Sequence, residues 1–135
     1  MEYKKYPERT PLNIVSIPFI YMMIVPSVIL HIFLEIYHTV CFPLYGIPYL
    51  KTRDYIKIDR HRLKYLNPVE KLNCMYCGYV NGLFHYASMV AAMTEHYWCG
   101  IKHEKKKGFQ PPEHHKDYPE FGDKEAFRRK YVNKS

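Results

Sequence analysis

The sequence predicts a mainly α-helical protein with an N-terminal membrane helix, a small helical core and a polar tail. Two features support this prediction: residues 12–34 are almost entirely apolar and uncharged, and residues 67–103 have the pattern of a long helix with a polar stripe. The 135 residues leave room for one modest domain. We divide the chain into a polar N-terminus (1–11), a transmembrane or re-entrant helix (12–40), an interfacial connector (41–66), a helical metal-binding core (67–103) and a basic tail (104–135).

The composition favours a membrane surface over nucleic acid as the partner of this chain. The 20 Lys and Arg residues against 13 Asp and Glu give a formal charge of +7, and 14 tyrosines add polar aromatic surface. Basic chains of this kind bind anionic surfaces of either sort. The sequence has no RNP-like segment, no helix-turn-helix spacing and no complete zinc finger. We therefore expect membrane lipid, and no nucleic acid, among the partners.

The apolar segment from Leu12 to Leu34 predicts the membrane helix. Roughly 20 such residues cross a bilayer, and no charge appears in this segment until Glu35 follows it. The segment is too long for a signal peptide, and no small-residue cleavage motif follows. Pro18 and Pro26 each remove a backbone donor and kink a helix. A re-entrant hairpin bent at Pro26 and a buried helix of a soluble protein are therefore the alternatives.

Basic residues are denser after the apolar segment than before it. They follow at Lys51, Arg53, Lys57, Arg60, Arg62 and Lys64. By the positive-inside rule, the C-terminal bulk of the protein is expected on the cytoplasmic side. Residues 41–50 are uncharged and contain two prolines, which predicts an irregular interfacial segment. The alternation at Ile56 and Ile58 predicts a short strand.

His31, Glu35 and His38 lie on one face at the end of the apolar segment, at helical positions i, i+4 and i+7. Ionisable side chains at membrane depth are costly and usually face protein or a cavity. Glu35 and His38 also have the Glu-x-x-His spacing of di-iron helical bundles, but no second such motif occurs. Polar tips that reach the lipid headgroups are the simpler interpretation, and a second metal site is the alternative.

Asn67, Pro68 and Glu70 predict the start of a long helix, because asparagine caps a helix, proline suits its first position and glutamate its third. At about 100° per residue, the polar side chains that follow fall within one stripe about 100° wide. The stripe holds Glu70, Cys74, Cys77, Asn81, His85, Ser88, Glu95, His96, Cys99 and His103. It lacks the Lys and Arg of a solvated face and is dominated by side chains that bind metals or carry protons.

The strongest chemical signal is a pair of motifs, Cys74-x-x-Cys77 and Cys99-x-x-x-His103. Three thiolates and one imidazole predict a bound zinc ion or, as second choice, iron. All four ligands must lie about 2.0–2.3 Å from the ion, yet Cys77 and Cys99 would be about 33 Å apart on one unbroken helix. A break at Asn81-Gly82, which is a turn signal, would close the site within one chain. The alternative is an antiparallel pair of helices from two chains.

Other titratable residues are expected to support this site or to form a second one. Glu95 and His96 lie about one turn from Cys99, where they would orient ligands or carry protons. The wider set of candidates is His31, Glu35, His38, His85, Glu95 and His96. In the tail, His114-His115 is interpreted as a solvated loop pair, with metal binding as the alternative. A short helix from Asp123 to Tyr131 is predicted with Asp123 as its cap.

Two resemblances rest on these motifs. The string Cys74-Met-Tyr-Cys77-Gly78 resembles the knuckle of rubredoxins and zinc ribbons, without the second knuckle of those families. The run from His31 to His103 resembles an uncharacterised family of small bacterial membrane-associated proteins, in strings such as Glu35-Ile-Tyr-His38, Asn73-Cys-Met-Tyr-Cys77 and Thr94-Glu-His-Tyr-Trp-Cys99. This second resemblance implies a bacterial source. This resemblance and the charge bias together predict an inner-membrane protein with its C-terminal domain in the cytoplasm.

These features predict a membrane-anchored metal-binding accessory or assembly subunit of a larger bacterial membrane complex, with the metal held structurally. An uncharged, Tyr-rich surface on a small core indicates a protein partner or a homodimer. The alternative is a membrane redox enzyme or electron-transfer protein that uses iron bound by thiolates and histidines. A periplasmic protein with disulfides is a third interpretation and requires the reversed topology.

Overall fold

The computed structural model describes residues 10–133, and this part of the chain is mainly α-helical and has no β-strand. The helices are α1 (Thr10–Met22), α2 (Ile24–Tyr45), α3 (Pro68–Trp98) and α4 (Lys124–Phe127). Short 3₁₀ turns lie at Thr52–Asp54, Arg60–Arg62 and Glu113–Asp117, and a π-helical turn, Arg128–Val132, follows α4. The predicted helical class is confirmed, whereas the strand predicted at Ile56 and Ile58 is wrong because these residues are irregular. Most of the predicted polar N-terminus, residues 1–9, lies outside the described residues.

α1 and α2 form one apolar helical stretch with a local break at Met23. Pro26 explains the break, because it cannot donate to the carbonyl of Met22 and its ring crowds that carbonyl. Met23 keeps right-handed helical angles (φ −67°, ψ −12°), so the chain continues instead of reversing as in the hairpin alternative. α2 ends where Gly46 takes a left-handed conformation at φ 69° and its N–H donates to the carbonyls at the end of the helix.

The stretch Pro11–Tyr45 is long enough and apolar enough to cross a membrane, by length and composition alone. Its most apolar window has a mean hydropathy of 2.2. The polar side chains of Ser27 and His38 are buried, whereas Phe33 and Leu44 are 67% and 76% exposed. α2 therefore turns polar groups inward and large apolar groups outward.

The chain divides into two compact units, Met1–Val90 and Ala91–Ser135, and the boundary falls within α3. In the first unit, side-chain hydrogen bonds pair Tyr21 with Asn73, His31 with Tyr79 and His38 with Tyr86. Tyr21 lies in α1 and the two histidines lie in α2. Because residue numbers rise together along both partners, this part of α3 runs parallel to the stretch formed by α1 and α2. The core of the unit includes Phe42, Leu83, Tyr86 and Val90.

The N-terminus of α3 is closed by the predicted cap. The Asn67 side chain accepts from the Glu70 N–H at 2.8 Å, and the Glu70 carboxylate accepts from the Asn67 N–H at 2.9 Å. This reciprocal pair satisfies two backbone donors at the start of the helix. The predicted cap at Asp123 is also confirmed, since its carboxylate accepts from the Ala126 N–H at 2.9 Å as α4 begins.

Gly82 lies inside α3, at a point where the connector backbone passes very close to the helix. A Cβ at this position would meet the Tyr55 carbonyl oxygen at 2.6 Å and the Ile56 Cα at 2.8 Å. The neighbouring Asn81 side chain donates to the Cys77 carbonyl one turn earlier, at 2.8 Å. The helix accommodates both residues, and the break predicted at Asn81-Gly82 does not occur.

Candidate metal centre

Glu95, His103 and His115 form the one group of three or more potential metal ligands found within residues 10–133. A carboxylate oxygen and two imidazole nitrogens, one from each residue, lie within 4.8 Å of one another. All three residues belong to the second unit. Glu95 is partly exposed, His103 is exposed and His115 is buried, so the cluster has one closed side and one side open to solvent.

The C-terminus of α3 places Glu95 beside a change in chain direction. The N–H groups of Cys99 and Gly100 both donate to the Glu95 carbonyl, at 2.7 and 2.9 Å. Gly100 then adopts a positive φ of 57°, which takes the chain out of the helix. Tyr131 donates its hydroxyl to the Gly100 carbonyl at 2.8 Å, and this bond fixes the turn.

The segments that carry the two histidines are joined by one backbone hydrogen bond. The Lys102 N–H donates to the Pro119 carbonyl at 3.0 Å. This bond brings the residues around His103 next to those that follow the 3₁₀ turn of His115. Pro112 precedes that turn in an extended conformation and fixes where it begins.

The Glu95 carboxylate accepts hydrogen bonds from two neighbouring imidazoles. His114 Nε2 lies 2.7 Å from Glu95 Oε2, and His115 Nε2 lies 2.9 Å from Glu95 Oε1. Burial alone would raise the pKa of the Glu95 carboxyl, but the hydrogen bonds from His114 and His115 outweigh it and hold this pKa below its usual value. Glu95 is therefore a carboxylate at neutral pH and is able to bind a cation.

His115 is 2% exposed, and its Nδ1 has no hydrogen-bond partner among the described residues. A neutral ring that donates through Nε2 presents a bare lone pair at Nδ1, on the edge of the ring away from Glu95. The Tyr118 ring stacks on His115 with centroids 5.2 Å apart. The Tyr118 hydroxyl is also buried and lacks a partner in this part of the chain. Burial and the Glu95 charge raise the pKa of Tyr118 to about 12.

Two imidazoles and one carboxylate are a recognised donor set for transition metals. Zinc takes this set in hydrolytic sites, where a water or substrate completes the coordination, and ferrous iron takes it in oxygenases. In both cases the protein supplies three ligands and leaves at least one position open. The hydrogen bond from His114 would orient the Glu95 carboxylate, as partners of metal ligands commonly do.

The four residues of the thiolate prediction are divided between the two compact units. Cys74 and Cys77 lie in the first half of α3, and Cys99 and His103 follow its end. α3 lacks the break that a site within one chain requires. The thiolate site therefore remains a prediction only in the form in which two chains each supply part of the ligands. All four cysteines of the sequence lie in the described part and are free thiols.

His31, Glu35 and His38 are held in a hydrogen-bond network of the first unit. The Leu50 N–H donates to His38 Nε2 at 3.1 Å, so the neutral ring carries its proton on Nδ1 and donates it to the Tyr86 oxygen at 2.8 Å. Thr52 donates to Glu35 at 2.7 Å. His31 Nδ1 lies 2.9 Å from the Tyr79 hydroxyl. These hydrogen bonds give each of the three polar residues a role in holding the fold together.

The two remaining histidines of the predicted stripe make ring contacts. The exposed His85 packs edge-on against Tyr55, with centroids 5.1 Å apart. His96 is exposed and stacks on the face of Tyr118 at 5.6 Å. His96 therefore lies near the cluster of Glu95, His103 and His115, in contact with an aromatic ring that also covers His115.

The sequence interpretation did not identify His114 and His115 as functional residues. An exposed histidine pair in a polar loop usually has no role, and only the fold shows that His115 is buried. Pro111-Pro112 was the available signal, because two prolines fix the start of the turn that follows. No protein-family model, no curated protein and no solved structure matches this chain.

Proposed function

We propose that this protein is a membrane-anchored metal-binding protein whose ion is bound by Glu95, His103 and His115. The observation that carries the proposal is the convergence of these three side chains, with one ligand atom from each within 4.8 Å of the others. His115 Nε2 faces the Glu95 carboxylate at 2.9 Å, so His115 would bind the ion through this nitrogen, in place of the proton that it now donates. The proposal replaces thiolates by imidazole and carboxylate as the principal ligands.

The membrane anchor is supported by the direction in which α2 presents its side chains. Polar groups that are buried against protein and apolar groups that face outward are the arrangement expected in lipid. α2 buries Ser27 and His38 and exposes Phe33 and Leu44. The basic residues that follow α2 favour a cytoplasmic location for the second unit, at a bacterial inner membrane.

Zinc is the first choice of metal, because two histidines, one carboxylate and an open position are typical of zinc sites that polarise a bound water or carbonyl. Iron is the second choice, since the same three ligands hold ferrous iron. If iron is bound, the alternative role as a redox enzyme or electron-transfer protein would use these three residues, instead of thiolates, as iron ligands. The accessory-subunit role and a homodimer or protein partner remain predictions.

Elemental analysis of the full-length protein purified in detergent tests this proposal. We expect about one zinc or iron per chain in the wild type, and loss of this metal in Glu95→Gln, which removes the charge and keeps the shape. The double variant Cys74→Ser/Cys77→Ser is the matched control and should retain the metal. Metal that persists in Glu95→Gln and disappears in the cysteine variant would contradict the proposal and restore the thiolate site.

A further inference from the structure

A cavity of about 370 Å³ opens beside the metal cluster, within the second unit. Two of its lining residues, His103 and His115, belong to the cluster. Its volume is at the lower end of the range of about 300–1,000 Å³ found for small-molecule sites. A metal ion bound by these histidines would therefore have its open position close to a space of ligand size.

One wall of the cavity, which adjoins His103, is apolar. Phe109, Pro111 and Pro112 line it, and the Phe109 ring packs edge-on against His103 with centroids 5.5 Å apart. Proline and phenylalanine side chains offer apolar surface at little cost in conformational entropy. This wall suits the apolar body of a small ligand.

The charged residues of the cavity leave a positive excess. Lys102 pairs with Glu120 at 2.6 Å and Lys116 pairs with Glu113 at 3.0 Å, so these charges largely cancel. Lys105 and Lys106 also line the cavity, against the single remaining carboxylate of Glu104. The excess favours an anionic ligand.

We infer that this cavity binds a small carboxylate with an apolar body, whose carboxylate oxygen takes the open position of the metal ion. The inference rests on the proposed metal site and adds the chemical class of the small molecule that binds there. The metal and the two lysines attract the carboxylate, and Phe109 with the two prolines covers the apolar body. A neutral analogue lacks the charge that the metal and the lysines attract, and acetate lacks an apolar body large enough to be covered.

The test uses the full-length protein loaded with Co²⁺, whose visible spectrum reports its ligands, and titrates it with benzoate. We expect benzoate to change the Co²⁺ spectrum at concentrations roughly 10-fold lower than acetate, because burial of the ring adds apolar contact. Benzamide, which is neutral, should leave the spectrum unchanged. Phe109→Ala should weaken benzoate roughly 10-fold and leave acetate unaffected.

The lysines provide a matched set of variants. The double variant Lys105→Met/Lys106→Met should weaken benzoate roughly 2- to 5-fold, the range of a partly exposed ion pair. Lys107→Met is the control, because Lys107 is exposed but does not line the cavity. A Co²⁺ spectrum that neither benzoate nor acetate changes, or a benzoate effect equal in all variants, would overturn the inference alone. Absence of Co²⁺ binding would overturn the proposed function and the inference with it.

Discussion

His38 in the first unit has a hydrogen-bond partner on each ring nitrogen, whereas His115 in the second unit has a partner on Nε2 and, among the described residues, none on Nδ1. Both rings are almost fully buried and both lie near a glutamate. The same side-chain types therefore serve different purposes. A histidine with both nitrogens satisfied stabilises the fold, and one whose Nε2 faces a carboxylate beside a second imidazole is placed to bind a metal ion.

The largest effect expected from this comparison is the loss of stability in His38→Ala. This change leaves the Leu50 N–H without its partner, which costs about 1–3 kcal/mol. It also opens a cavity where the fully buried ring packs against Phe42 and Tyr49. We expect a decrease of about 3 kcal/mol in the free energy of unfolding, measured by denaturant unfolding in detergent. Metal content should be unchanged. Loss of metal in His38→Ala would remove the distinction between the two histidines.

The tight packing around α3 in the first unit predicts the next largest effect. Gly82→Ala would place a Cβ 2.6 Å from the Tyr55 carbonyl, whereas Gly78→Ala would place one 3.0 Å from the Lys57 carbonyl. We expect Gly82→Ala to lower the free energy of unfolding by about 2 kcal/mol, and Gly78→Ala to lower it less. If both variants are as stable as the wild type, the connector does not pack on this face of α3.

A smaller effect is expected from the residue that orients Glu95. His114→Ala removes the 2.7 Å hydrogen bond to the carboxylate, and loss of such a partner costs about 10-fold or more in metal affinity. Isothermal titration with Zn²⁺ measures this change. His96→Ala is the control, because His96 contacts the Tyr118 ring and should not alter affinity. Equal losses in both variants would indicate a general disturbance of the unit.

The smallest effect concerns acid stability of the metal-free protein. The Glu95 carboxyl has a folded pKa below its usual value of 4.5, held down mainly by the hydrogen bonds from His114 and His115 against the opposing effect of burial. Its contribution to stability is complete above about pH 4.5 and is lost as the pH falls through the folded pKa. Acid unfolding followed by circular dichroism should therefore be steeper for wild type than for Glu95→Gln. Identical acid transitions would show that the carboxylate is not stabilised by its neighbours.

Local signals in the sequence predicted local structure well. Asn67 with Glu70 marked the start of α3, Asp123 marked that of α4, and the uncharged run from Leu12 marked the long apolar stretch. Each of these depends on neighbouring residues only. The wrong expectation at Asn81-Gly82 had a different cause: the pair is a turn signal in isolation, but the glycine instead allows the close approach of a backbone more than 20 residues away, at Tyr55.

The metal cluster could be predicted only in part, because its third ligand comes from a distant segment. Glu95 and His103 share the polar stripe and were candidates from their spacing. His115 joins them through the turn at Gly100 and the hydrogen bond between Lys102 and Pro119, which no periodic pattern indicates. The cysteine spacing was the stronger signal in the sequence, and it led the prediction toward thiolates.

X-ray absorption at the zinc edge of the zinc-loaded protein would decide between the two sets of ligands, because it measures which atoms surround the ion. We expect a shell of nitrogen and oxygen at about 2.0–2.1 Å with the outer-shell pattern of imidazole, and no sulfur. A shell of sulfur atoms at about 2.3 Å would contradict it, since it would show that the cysteines hold the metal.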